Sequence, residues 1–180
     1  MRFLFLLIAG LLSFADTVQA QVEVTPAMQQ KIKLDINKAA EGIKRKLEQE
    51  KENAVVVEFI IDTFKIERLM EECINLDYST AGMRTAGYLA ATAYDSLLNK
   101  YYKKLLAILK GDDRKVLILA QKAWIAFRDS EEKLTGIISK DEYSGGGTMQ
   151  LLVESSAYLD LIKNRTIEIF SHYTRAAQIY

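Results

Sequence analysis

The sequence has few of the residues that interrupt helices or build covalent and metal-bound frameworks. Its 180 residues include one proline, one cysteine and one histidine. One cysteine cannot form a disulfide within the chain, and one histidine excludes metal sites that need several imidazoles. With a single proline, long uninterrupted helices are expected. We expect no enzyme, no metal site and no cofactor.

The sequence also lacks an excess of charge of either sign. Its 24 basic residues equal its 24 acidic ones. A balanced charge gives no long-range attraction toward nucleic acid or an anionic membrane surface, so nucleic acid is not an expected partner. Because 49% of the residues are hydrophobic, the chain can bury a sizeable core.

No apolar run reaches the roughly 20 residues that a membrane-spanning helix needs. The first residues instead have the three parts of a secretory signal: the charge of Arg2, the apolar run 3–12, and small residues at 18–20. We therefore expect residues 1–20 to be a signal peptide cleaved before Gln21. The mature protein is then periplasmic or secreted, without a membrane span.

Apolar residues recur at steps of three and four along most of the chain, which predicts amphipathic helices. Thr25 and Pro26 form a typical helix start, and Gly111 a stop. The β-branched run 55–57 could begin a strand, but the spacing after it favours a helix. Beyond Gly111, the predicted core-facing residues are Val116, Leu117, Ala120, Ala123, Trp124 and Phe127.

These patterns predict an all-α fold, an antiparallel up-and-down bundle of about four to five helices. Two parts are distinguished along the mature chain. Residues 21–78 form the N-terminal helices, and residues 79–180 form a helical bundle. We expect both parts to pack together as one domain.

Two sets of polar residues interrupt the apolar stripes on either side of Gly111. They are Asp95, Asn99 and Tyr102, then Gln121, Trp124 and Arg128. A helical hairpin about the turn would place Asp95 level with Arg128, Asn99 with Trp124, and Tyr102 with Gln121. The set is either a structural network that fixes helix register or a polar cluster for ligand binding or catalysis.

Three segments resemble the lysozyme inhibitor LprI-like domain family of bacterial envelope proteins. They are Thr-Ala-Gly-Met at 80–83, Asp-Ser-Leu-Leu-Asn at 95–99 with Tyr102, and the more specific Ala-Gln-Lys-Ala-Trp-Ile-Ala-Phe-Arg-Asp at 120–129. Arg165 stands where the family often has a threonine-to-arginine motif. The resemblance covers about residues 73–170 and implies lysozyme inhibition for some members.

The resemblance also implies paired cysteines that this chain has largely lost. Aligned on the motifs, Ala86, Glu132 and Ala157 stand at three of those places, and Cys73 at a fourth. Packing must therefore replace covalent stabilisation. Cys73 is either an inert buried thiol or the site of an intermolecular bridge or another reaction.

The longest connection, residues 140–147, combines charges, one aromatic side chain and three glycines. Its candidate contact residues are Lys140, Tyr143 and Ser144; the alternative is a plain solvent loop. The functional expectation is an exported binding protein that inhibits lysozyme or another cell-wall hydrolase. The alternatives are an envelope scaffold without inhibitory activity and, third, a carboxylate-dependent hydrolase using Asp95 or Asp129.

Overall fold

The computed structural model describes residues 24–179, which form six helices and no strands. The predicted all-α bundle is confirmed. The predicted signal peptide lies outside the described residues. The helices are α1 (Pro26–Gln49), α2 (Ala54–Leu76), α3 (Thr80–Ile108), α4 (Gly111–Ile138), α5 (Asp141–Ser144) and α6 (Thr148–Ala176). Within this range, no helix has the length and apolar content needed to cross a membrane.

Side-chain caps fix the start of the first three helices. Thr25 Oγ1 accepts a hydrogen bond from the backbone N–H of Met28 at 3.3 Å, and Pro26 occupies the first turn. Asn53 caps α2, so the β-branched run that follows it is helical. Ser79 Oγ accepts from the N–H of Gly82 at 3.0 Å and begins α3.

The two N-terminal helices and α3 form successive hairpins: α1 packs on α2, and α2 packs on α3. The ion pairs between α2 and α3 show their antiparallel register. Lys100 Nζ lies 2.6 Å from Asp62 Oδ2, and one turn later Lys104 Nζ lies 2.9 Å from Glu58 Oε2. Residue numbers therefore increase along α3 while those of the paired residues decrease along α2, so the two helices are antiparallel.

The most extensive helix contact joins α3 and α6, which run parallel. Thr166 Oγ1 donates to the backbone oxygen of Tyr94 at 3.1 Å, and the Tyr101 and Phe170 rings meet further along at 4.9 Å. Consecutive long helices still alternate in direction. Because α4 returns to the starting end, α6 runs in the same direction as α3.

The core lies between α2, α3 and α6. Phe59 of α2 stacks on Phe170 of α6 with ring centroids 3.8 Å apart, and Tyr101 of α3 meets Phe59 edge-on at 5.5 Å. Its buried members are Tyr94, Leu97, Leu98, Tyr101, Leu105, Leu117, Ile162 and Ile169. Burial of these large side chains supplies the main stabilisation of the domain.

The predicted core face of α4 is only partly correct. Leu117 is buried and Trp124 half-buried, but Val116, Ala120, Ala123 and Phe127 are exposed. A neighbouring face of α4 packs on α6. Along that face lie Leu117, Gln121, Trp124 and Arg128, at steps of four, three and four residues. The spacing identified two adjacent helix faces but could not tell which one packs on the chain's own core.

Candidate functional site

A cluster of aromatic and cationic side chains ties α4 to α6. The guanidinium groups of Arg128 and Arg165 lie 5.5 Å and 5.8 Å from the centre of the Trp124 ring. Arg165 Nε also donates to Gln121 Oε1 at 3.1 Å. We call Gln121, Trp124, Arg128 and Arg165 the arginine–tryptophan cluster. Cation–π attraction and the hydrogen bond together orient α4 on α6.

Arg128 pairs with its neighbour in sequence rather than with Asp95. Its Nε and Nη2 atoms donate to Asp129 Oδ1 at 2.9 Å and 2.6 Å. Burial works against the charged form, but the hydrogen bond to Asp129 and the charges of Asp129, Tyr158 and Asp95 together outweigh it and raise the pKa of Arg128. Among the residues described, no ion pair joins Asp95 to Arg128, and a link between them through a shared polar neighbour stays a prediction.

Asp95 on α3 and Arg128 on α4 belong to helices that each pack on α6, and the charge of Asp95 still acts on Arg128. Burial raises the pKa of Tyr158 on α6, and the charges of both Arg128 and Asp95 also act on it. Asn99 Nδ2 instead donates to Asp95 Oδ2 at 3.0 Å within α3. At the turn itself, Arg114 Nε donates to the Leu106 backbone oxygen at 3.0 Å.

The six polar residues singled out in the sequence thus fall into separate groups. Gln121, Trp124 and Arg128 belong to the arginine–tryptophan cluster. Asp95 and Asn99 form a local pair on α3. Tyr102 packs against the hydrophobic core. The described hydrogen bonds do not join these groups, and a ligand-binding role for them stays a prediction.

A second electrostatic network, between α2 and its neighbours, was not anticipated. Hydrogen bonds from Lys100 and Lys104 lower the pKa of Glu58. Further along α2, Glu67 accepts from the hydroxyl of Tyr94 and pairs with Lys163 of α6. The sequence signal was the four-residue spacing between Glu58 and Asp62 and between Lys100 and Lys104. It cannot be interpreted without knowing how α2 and α3 are aligned along their length.

The four positions where the family resemblance implies cysteines lie in two neighbouring pairs. Cys73 and Ala86 are buried and line one cavity of about 320 Å³ between α2 and α3. Glu132 and Ala157 line one small cleft between α4 and α6. Burial raises the pKa of the Cys73 thiol, which keeps it protonated and unreactive at neutral pH. The structure favours the interpretation of Cys73 as an inert buried thiol.

The connection after α4 contains the short helix α5 rather than a fully irregular loop. Tyr143 lies on it and is 58% exposed, and Lys140 is exposed just before it. Gly145 ends α5 in the left-handed region, with φ of 77°, and its N–H donates to the backbone oxygen of Asp141. Ser144 Oγ accepts from the N–H of Gly146 at 3.2 Å, so Ser144 shapes the turn.

An open groove of about 710 Å³ lies where the end of α3, the start of α4 and the end of α6 meet. Its apolar part includes Leu105, Leu109 and Ile169 together with Val116, Leu117 and Ala120 of α4, and Arg165, His172 and Arg175 lie along α6. Over residues 24–179, no three histidine, cysteine, aspartate or glutamate side chains are placed to hold a metal ion.

These features define a helical domain whose three last long helices are joined by aromatic, cationic and small side chains. The chain belongs to the lysozyme inhibitor LprI family, whose model matches residues 73–169. The match runs from Cys73 near the end of α2 to Ile169 in α6, and includes the arginine–tryptophan cluster. Helix α1 and most of α2 lie outside it.

A curated relative is the uncharacterized protein R02472 of Rhizobium meliloti (strain 1021). It is 29% identical over 90 residues, which cover 43% of this chain and 61% of the relative. The chain thus matches about three fifths of that protein's length. No solved structure matches the chain.

Proposed function

We propose that this protein is an exported, non-catalytic inhibitor of lysozyme or another cell-wall hydrolase, and that the connection containing α5 contacts the enzyme. Membership in the lysozyme inhibitor LprI family supports the class of activity. The exposure of Tyr143 on a short helix between two long ones supports the choice of surface. A rigid scaffold that presents an exposed aromatic side chain is a common arrangement for recognition.

The chemistry of this connection suits a hydrolase cleft. Glycoside hydrolases of the lysozyme type carry two carboxyl groups on either side of the scissile bond. Lys140 is exposed, and in the described part of the chain its ammonium group makes no ion pair. Lys140 would supply the charge that a carboxylate attracts, and Tyr143 the apolar area that excludes water.

The export part of the proposal rests on the signal pattern of residues 1–20. We expect protein recovered from the periplasm or the medium of an expressing bacterium to have the intact mass of a chain that begins at Gln21. Mass spectrometry of both fractions measures this directly. Recovery of the uncleaved chain in the cytoplasm alone would contradict it.

The inhibition part is tested by the turbidity of a cell-wall suspension with a muramidase and increasing amounts of the mature protein. Wild type should slow clearing in proportion to its concentration. A Lys140→Ala, Tyr143→Ala double variant should need at least about 10-fold more protein for the same effect, because a hot-spot tyrosine contributes about 2 kcal/mol or more and about 1.4 kcal/mol is tenfold.

A matched control distinguishes the loss of a contact with the enzyme from the loss of folded protein in this assay. A Tyr78→Ala, Lys115→Ala double variant removes the same two residue types from other exposed positions, and Tyr78 is 55% exposed. Both variants should keep the wild-type helicity by circular dichroism. Equal inhibition by the two variants would remove the α5 connection from the mechanism.

A scaffold or interaction module without inhibitory activity is the second candidate. The exposed apolar residues of α4, among them Val116 and Phe127, favour it because such faces commonly mark interaction surfaces. Wild-type protein that leaves clearing unchanged at every concentration, while folded, would favour this candidate over inhibition.

A further inference from the structure

Helix α4 carries a stripe of exposed, mostly apolar side chains beside the face that packs on α6. Its seven positions follow one another at alternating steps of four and three residues, which keeps them on one side of a helix. Val116 is 64% exposed, Phe127 51%, Leu134 49% and Ile137 43%. We call Val116, Ala120, Ala123, Phe127, Ser130, Leu134 and Ile137 the α4 stripe.

The described helix contacts leave the stripe exposed from Ala123 to Ile137, while its first residues, Val116 and Ala120, line the open groove where α3, α4 and α6 meet. Helix α4 packs on α6 and α5. Its contact face toward α6 is the neighbouring one, with Gln121 and Trp124. The stripe runs about 32 Å between its end residues at 1.5 Å per residue. An apolar row of this length with this spacing has the form of one half of a two-helix interface.

We propose that the α4 stripe binds the α4 stripe of a second copy of this chain, with the two helices antiparallel. A two-fold axis between residues 128 and 129 places one small and one large side chain in each layer. Ala120 then faces Ile137 of the partner subunit, and Ala123 faces Leu134 of the partner subunit. At the centre, Phe127 lies over Ser130 of the partner subunit. Alternating small and large residues in this way lets two helices interdigitate closely.

The charges along α4 favour the antiparallel direction. The N-terminal half has one more positive charge than negative, since it carries Asp112, Asp113, Arg114, Lys115 and Lys122. The C-terminal half has one more negative charge than positive, since it carries Arg128, Asp129, Glu131, Glu132 and Lys133. An antiparallel pair sets opposite halves side by side and opposes the two helix dipoles, whereas a parallel pair sets like halves together.

The oligomeric state of the mature wild-type protein tests this pairing by sedimentation velocity over a concentration series. We expect twice the monomer mass at high concentration. Phe127→Glu should weaken the association about 100-fold or more, because each dimer would contain the buried charge twice. Phe127 is half exposed within one chain, so this variant should keep its fold and its melting temperature.

Ile125→Glu is the matched control, since Ile125 is 39% exposed on the same helix but lies outside the stripe. It should dimerise as wild type does. A wild type that stays monomeric at every concentration would overturn the proposal. A dimer that Phe127→Glu and Ile125→Glu weaken equally would also overturn it. So would a monomeric wild type whose inhibition of muramidase is lost in Phe127→Glu, because that result would assign the stripe to contact with the hydrolase.

Cross-linking tests the direction of the two helices. Ala123→Cys protein mixed with Leu134→Cys protein should form a disulfide-linked dimer under mild oxidation, while neither variant alone should do so. In a parallel pair, Ala123→Cys alone would cross-link. Cys73 is buried in each chain and should not interfere. Cross-linking of Ala123→Cys alone, without any on mixing, would overturn the antiparallel arrangement.

Discussion

Replacing Gly82 by alanine should lower the free energy of unfolding by about 1–3 kcal/mol, the usual cost of forcing an extra methyl group into a packed site. A Cβ atom on Gly82 would overlap both the carboxyl carbon and the backbone oxygen of Asp77. Asp77 ends α2 and Gly82 lies in the first turn of α3. The α2–α3 connection therefore closes only where residue 82 has no side chain, and backbone must move to admit one.

Gly42→Ala is the control, since the same substitution should raise the free energy of unfolding there instead of lowering it. Gly42 lies within α1, and a Cβ atom on it would meet nothing within 4 Å. Alanine is favoured over glycine in a helix interior by about 1 kcal/mol, so this variant should be more stable than wild type. Denaturant titration of both variants measures the two effects. Equal changes for the two would show that the contact with Asp77 costs nothing.

Ala86→Cys should form a disulfide with Cys73 and raise the free energy of unfolding by about 3 kcal/mol. The family resemblance implies cysteines at both positions, and both side chains are buried and line the same cavity. A cross-link that closes a loop of about 15 residues lowers the conformational entropy of the unfolded chain, which destabilises that state by about 3 kcal/mol. Titration of free thiols and thermal unfolding, each with and without reductant, measure the result.

Ala90→Cys provides the comparison for this disulfide. Ala90 is also buried and lies one turn further along α3, outside the cavity that Cys73 lines. Its thiol should stay free, and its melting temperature should not depend on reductant. Two free thiols in oxidised Ala86→Cys protein would contradict the predicted bond.

The helices could be read from the sequence because the signals that begin and end them are local. Thr25 was recognised as a start and directly precedes α1, and Gly111, recognised as a stop, marks the break between α3 and α4 but is itself the first residue of α4. The short helix α5 was not predicted, because four residues carry no periodic pattern. The family resemblance rested on local segments as well, and it is confirmed.

The contacts between helices could not be read in the same way. Phe59 stacks on Phe170, and Lys163 pairs with Glu67, across more than ninety positions of sequence in each case. Periodicity gives the faces of one helix but not which neighbour covers each face, so the exposed side of α4 was assigned to the core. The pairing of Arg128 with Asp129 was missed for a different reason: the helical-hairpin argument looked for a partner on another helix, whereas Arg128 bonds the carboxylate next to it in sequence.

The parallel contact between α3 and α6 sets the order in which parts of the chain can be joined during folding. The hydrogen bond from Thr166 to Tyr94 joins residues 72 positions apart, whereas the bond from Tyr94 to Glu67 joins residues 27 positions apart. Closing the longer loop costs about 1 kcal/mol more in chain entropy. Docking of α6 is thus the entropically costlier closure, and the α2–α3 hairpin forms a local nucleus on which it can dock.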